Sequence, residues 1–194
     1  MDGPGAGLLI DGGDVTITDS NITENMTTAG FDGGGIYQLA GTLSISGTTI
    51  AENMAAGDGG GLFASVVTLI VDASTIRSNV ASGAEGSGGG LYLDAGTLSV
   101  SDSSITENRA NRAGGGIEVV AGTTTTLTNV DFLRNNAGVL PAVANPGNGG
   151  ALHVTGNANV TIVGGVVIGN AAREERSFQR GRDAQHLAKR DHSK

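Results

Sequence analysis

The sequence predicts an all-β chain, a single-stranded right-handed parallel β-helix (β-solenoid) of about six coils, followed by a short charged C-terminal tail. Three observations predict it. A glycine triplet followed by an aliphatic residue recurs along the chain. Each copy then carries a run of alternating apolar residues, and each closes on an apolar residue followed three positions later by Asn. Self-similarity at a period of 20 to 50 residues is the signature of a stacked-repeat protein.

The glycine blocks place their aliphatic residues at Ile36, Leu62, Leu91, Ile117 and Leu152, at spacings of 26, 29, 26 and 35 residues. A degenerate copy, Gly5-Ala6-Gly7-Leu8, lies 28 residues before Ile36 and makes six. The alternating pairs that follow are Val15/Ile17, Leu43/Ile45, Leu69/Val71, Leu98/Val100, Thr125/Leu127 and Val160/Ile162. Alternation with period two means a strand with one buried side. The closing columns are Ile22/Asn25, Ile50/Asn53, Ile76/Asn79, Ile105/Asn108, Phe132/Asn135 and Val167/Asn170.

Each copy reads as a short strand, a turn, a longer strand, a turn, a short strand and a turn. No copy shows helical apolar spacing with caps, which argues against an α/β solenoid. A lone coil cannot bury its aliphatic residues. Coils stacked about 4.8 Å apart pair each strand with its equivalents above and below, so six form a rod roughly 29 Å long. Glycine makes the sharp bends, because it reaches positive φ at no steric cost. Asn is the residue next best suited to that region, and its amide bonds to the equivalent amide one coil away. Asn25, Asn53, Asn79, Asn108, Asn135 and Asn170 are therefore expected to form a structural ladder. The insertions 81–87 and 136–148, the latter with Pro141 and Pro146, fall at turns and read as surface loops; the longer is a natural place for a binding site.

Composition narrows the function classes. The chain has 194 residues, 34 glycines, six aromatic residues and no Cys, so neither disulfides nor thiolate metal sites are available. Residues 1–172 hold four Arg and no Lys against fifteen acids; residues 173–194 hold seven Arg and Lys against four acids. An acidic body with no basic stripe argues against a nucleic-acid partner. No segment has the run of about 18 apolar residues that a membrane helix needs, and Met1 to Gly7 lacks the basic and apolar regions of a signal peptide.

Gly149-Gly150-Ala151-Leu152 and Phe132-Leu133-Arg134-Asn135, with the looser Gly-Gly-Gly-aliphatic and Ile-x-x-Asn copies elsewhere, resemble the repeats of the polymorphic outer-membrane-protein family, whose passengers are autotransported β-helices. The resemblance covers about residues 5–170 and extends to the pectate-lyase-like superfamily of right-handed β-helices. It implies a cell-surface, adhesive or polysaccharide-acting protein at the outer-membrane surface or outside a bacterium. A full member also has an export signal and a C-terminal barrel or anchor, and neither is found in this sequence.

Catalytic constellations are sparse. Hydrolysis of a polysaccharide needs carboxylates about 5 to 9.5 Å apart, but the strand acids Asp14 and Asp72 belong to non-adjacent coils. A lyase needs clustered acids and an Arg base. Arg77, Arg109, Arg112 and Arg134 share one edge beside or after the Asn turn and read as solvent-facing charges. Asp32 and Asp58 precede consecutive glycine triplets and are the candidates for a weak Ca²⁺ site; no other cofactor is expected. His153 is expected to point outward. One surface pattern stands out: the residues between the alternating apolar pairs are Thr16, Ser44, Ile70, Ser99, Thr126 and Thr161, flanked by further Thr and Ser. This face is a candidate surface for polysaccharide, a host or matrix surface, or ordered water.

The expectation is one repeat domain, residues 1–172, and a tail, residues 173–194, helical over the last coil or disordered, with His186 and His192 incidental. A noncatalytic adhesive or structural module, on its own or as part of a longer surface protein, is the favoured function. A carbohydrate-active β-helix enzyme is the alternative, and ice or mineral binding is a third. The first coil is reached with no cap before it, which points to truncation, end-to-end self-association or a neighbouring domain.

Overall fold

The computed structural model describes residues 3–138 and 147–172. The expected tail and residues 139–146 of the longer loop lie outside the described residues. Within them the chain is all β, with parallel pairing throughout, wound into six stacked coils.

Three sheets run the length of the stack. The first contains Ile36–Ser46, Leu62–Asp72 and Leu91–Ser101 in the second, third and fourth coils. In the other coils the same path is two strands: Leu8–Ile10 with Asp14–Thr18, Ile117–Val119 with Thr124–Thr128, and Leu152–Val154 with Asn159–Val163. The turn expected between the short and longer strands is thus absent from the middle coils. There the chain bends without leaving the ladder, helped by positive φ at Gly41 (86°) and Gly96 (99°). A Cβ at Gly41 would collide with the Gly13 carbonyl oxygen, and one at Gly96 with that of Val67.

The second sheet stacks Asn21–Thr23, Thr49–Ala51, Thr75–Arg77, Ser104–Thr106, Asp131–Leu133 and Val167–Ile168. The third is built of two-residue strands, Met54–Ala55, Val80–Ala81, Arg109–Ala110, Asn136–Ala137 and Ala171–Ala172. Ala55, Ala81, Ala110 and Ala137 point inward and are buried. This strand is missing from the sequence reading because alanine is common both inside and outside proteins and gives no periodic signal.

Register turns the sequence columns into a core. Ile36, Leu62, Leu91 and Ile117 lie one above another, as do Ile50, Ile76, Ile105 and Phe132, and all are essentially inaccessible to solvent. Each such side chain contributes about 1.5 to 3 kcal/mol of burial free energy, available only when coils stack on both sides. In the last coil Val167 continues the Phe132 column and Ile162 the inward column of Leu127, and they remain 61% and 52% exposed.

The turns join the coils by polar ladders. Each Asn Nδ2 from Asn25 to Asn135 donates to Oδ1 of the Asn in the next coil at 2.9–3.0 Å. The backbone N–H of the same residue donates to that oxygen too. The left-handed conformation does not fall on these Asn residues. It falls on the residue before each: Glu24, Glu52, Ser78, Glu107, Arg134 and Gly169, with φ of 54–67°. The preceding residue makes the bend and frees the Asn side chain to turn inward, where its bonds offset a strain of about 1 kcal/mol. The first turn repeats the design. Asp19, Gly47, Ala73 and Asp102 take positive φ, and Ser20, Thr48 and Ser74 donate backbone N–H groups to the hydroxyls of Thr48, Ser74 and Ser103.

Candidate functional site

The outward side of the first sheet has two halves of different chemistry. In the second half, alternation directs every other residue to solvent. Parallel register then aligns Thr16, Ser44, Ile70, Ser99, Thr126 and Thr161 into one column. The column on one side is Asp14, Thr42, Thr68, Thr97, Thr124 and Asn159; on the other it is Thr18, Ser46, Asp72, Ser101, Thr128 and Val163. Rungs about 4.8 Å apart crossed by residues about 6.8 Å apart make a flat grid of hydroxyls. Thr16, Ser99, Thr126 and Thr161 are exposed and Ser44 is half-buried. Ile70 interrupts the column at 39% exposure. The few bonds within the grid run between coils, as from Ser101 Oγ to Asp72 Oδ1 at 2.5 Å. Asp14 and Asp72 fall in different columns, two coils apart.

In the first half, the outward column is Leu9, Tyr37, Phe63, Tyr92, Glu118 and His153. The three rings stack face to face, with centroids 4.9 and 5.2 Å apart and interplanar angles of 5° and 7°. They press against the first glycine of each triplet: a Cβ at Gly33 would lie 2.8 Å from Tyr37 Cβ, and one at Gly88 2.7 Å from Tyr92 Cβ. Those glycines also have φ of 64°, so both conformation and space exclude a side chain. Phe63 is 8% exposed.

Above Tyr92 the column becomes ionic. Glu118 is fully buried, and both its oxygens lie 2.9–3.0 Å from Nδ1 of His153. His153 does face outward, but 76% of its side chain is covered, its exposure being 24%. Burial pushes the Glu118 carboxyl above the ordinary carboxylate range, opposed by the His153 bond and charge.

Asp32 and Asp58 lie one coil apart beside this column. Asp32 Oδ1 accepts the Asp58 N–H, and Asp58 Oδ1 accepts the Ser87 N–H, each at 2.7 Å. Burial raises both carboxyls, Asp58 up to about 6; for Asp58 the Ser87 bond opposes the rise, the Asp32 charge adds to it, and Arg112 opposes it. The two oxygens therefore serve a third turn ladder. No group of three His, Cys, Asp or Glu with metal-binding geometry occurs among the described residues, and the donor set here, two carboxylates each bonded to backbone, is poor for Ca²⁺, which takes six to eight oxygens.

Of the four arginines, Arg77, Arg109 and Arg134 share the edge at the second turn, and Arg112 does not. Arg112 Nε donates to Ser87 Oγ at 3.2 Å, in the acidic third turn. Arg77 meets Glu52 at 3.1 Å and Arg134 meets Glu107 at 2.7 Å across the second turn. There Ser78, Val80, Glu107, Arg109 and Arg134 line a shallow cleft of about 400 Å³.

The aromatic column and the Glu118–His153 pair are absent from the sequence reading, although the signal was present. Each residue stands one position after the aliphatic residue of its glycine block. The first-turn ladder of Ser20, Thr48, Ser74 and Ser103 is absent from that reading too, because these residues look like ordinary strand flanks until the turns are aligned.

A family model described as a right handed beta helix region matches residues 2–167. No curated protein and no solved structure matches the chain.

Proposed function

The chain belongs to the right-handed β-helix family, and from that premise we propose that it is a noncatalytic recognition module, adhesive in role, displayed on a bacterial surface or secreted, with the hydroxyl grid of the first sheet as its binding surface. A fold serves many functions, so the reading rests on the surface. The observation that carries it is the register of Thr16, Ser44, Ser99, Thr126 and Thr161 into one accessible column flanked by two more of like chemistry. Such a repeating display suits a repeating ligand, a polysaccharide whose own hydroxyls exchange with bound water at many weak positions. The surface location follows from the resemblance of the repeats to autotransported passengers.

The test is a glycan and matrix-protein array probed with the purified chain and with the variant S44E/S99E/T126E. Selective binding to a polysaccharide, lost in the variant, is expected. Absence of binding by the folded chain contradicts the reading, and thermal hysteresis in freezing water would move it to ice binding through the same grid.

One observation favours a second reading, a carbohydrate-active enzyme. Asp58 and Glu118, both with raised carboxyls, flank Tyr92 near Arg112, and the charges of both acids are felt at the tyrosine hydroxyl. A raised carboxyl is what a general acid needs. Turnover of an acidic polysaccharide abolished by D58N would establish it; no turnover across a panel of such polymers removes it.

A further inference from the structure

The last coil breaks the surface pattern of the five before it. At one outward position the successive coils carry Thr18, Ser46, Asp72, Ser101 and Thr128, and the sixth carries Val163. At another they carry Asn21, Thr49, Thr75, Ser104 and Asp131, and the sixth carries Val166, the residue before the Phe132–Val167 pair. At a third, Ile168 lies over half-buried Leu133. Val163, Val166 and Ile168 are 55%, 41% and 61% exposed. These side chains point away from the coil axis, and at the equivalent positions of the inner coils Ser46, Ser101, Thr49 and Ser104 stay half-buried with coils on both sides. Another coil stacked on the end would cover Ile162 and Val167 but only half-cover these three, so an occupant that covers them fully wraps the side of the sixth coil as well as its end.

We propose that this occupant is the chain's own residues 173–194. The segment leaves directly from Ala171–Ala172, in the same coil and within a few residues of Ile168. Its 22 residues span up to about 70 Å when extended, far more than the return path requires. Tethering holds it at an effective concentration in the millimolar range. It carries Phe178 and Leu187 as apolar anchors and an excess of three positive charges, against an excess of eleven negative charges in residues 1–172. Complementary charge steers it to the body, and the two anchors supply the apolar contact. Covering the last coil also blocks its open strand edges, which would otherwise recruit another chain.

The absence of Cys from the chain makes the test direct. In the full chain, V166C/F178C and V163C/L187C are oxidised in dilute solution, with T16C/F178C as a control at the far end of the rod. Intramolecular disulfides in at least one of the first two pairs and none in the control are expected. Amide hydrogen exchange across residues 163–168 is expected to accelerate about tenfold or more in F178E/L187E, whose substitutions lie outside the coils. Intermolecular disulfides would overturn the proposal in favour of a second copy on the same patch. Failure of both pairs to close, or exchange unchanged by F178E/L187E, would overturn it outright.

Discussion

The two halves of the first sheet share strands yet use their outward sides in opposite ways. On Ile36–Ser46, Tyr37 and Ser44 both point away from the core. Tyr37 belongs to a column whose chemistry changes along the rod, from rings to carboxylate to imidazole, and in which Phe63 and Glu118 are buried. Ser44 belongs to a column of hydroxyls, broken once by Ile70, that stays accessible. A side chain covered by its neighbours is coupled to stability, whereas one that repeats in the open is free for contact with a partner. The difference separates what holds the coils together from what the coils present.

The sharpest way to break the comparison is at Phe63, between two stacked rings. Phe63→Ala is expected to cost about 3 kcal/mol, from lost burial and two lost stacking contacts, read as a melting midpoint lower by on the order of 10 °C. The pH dependence sharpens it next. The Asp58 carboxyl titrates near 6 in the folded chain against 3.8 for a free one. The stability linked to its protonated form is therefore present below about pH 4 and lost as pH rises to about 6. Asp32 and Glu118 are shifted in the same direction. The chain should melt higher at pH 4.5 than at pH 7, with D58N removing roughly 2 kcal/mol of that difference. His153→Ala leaves Glu118 buried without its partner and is expected to cost about 2 kcal/mol at pH 7. The cost should shrink as the pH falls, because burial raises the Glu118 carboxyl and favours its neutral form. Ser99→Ala, on the exposed half, is expected to change stability by less than about 0.5 kcal/mol in denaturant titration.

The inward half of every coil was legible in the sequence, because aliphatic residues at fixed offsets from glycine have one explanation in a stacked fold. Even Thr125, in a column otherwise of Val and Leu, was identified by its offset; it is buried, and its Oγ1 finds no partner among the described residues. The hydroxyl grid was legible for the same reason, since alternation fixes the outward residues once the inward ones are known. The turns were harder. Glu24, Glu52, Glu107 and Arg134 adopt a conformation that their residue type disfavours, and only the bonds made by the following Asn explain why they hold it. The glycine triplets place Asp32 and Asp58 one coil apart in the sequence but do not reveal their role as acceptors of backbone N–H groups, and the Glu118–His153 pair depends on which residues become neighbours across coils of unequal length. That adjacency is a property of register, and it appears only when the insertions at the turns have been set aside.

The most direct test of the account measures both halves of the sheet with both readouts, comparing F63A with S44E/S99E/T126E in thermal melting and in binding to the glycan array. The account predicts a double dissociation: F63A melts lower but binds at temperatures where it is folded, and the charged variant melts as the parent does but no longer binds. Binding retained by the charged variant, or lost by folded F63A, would contradict it.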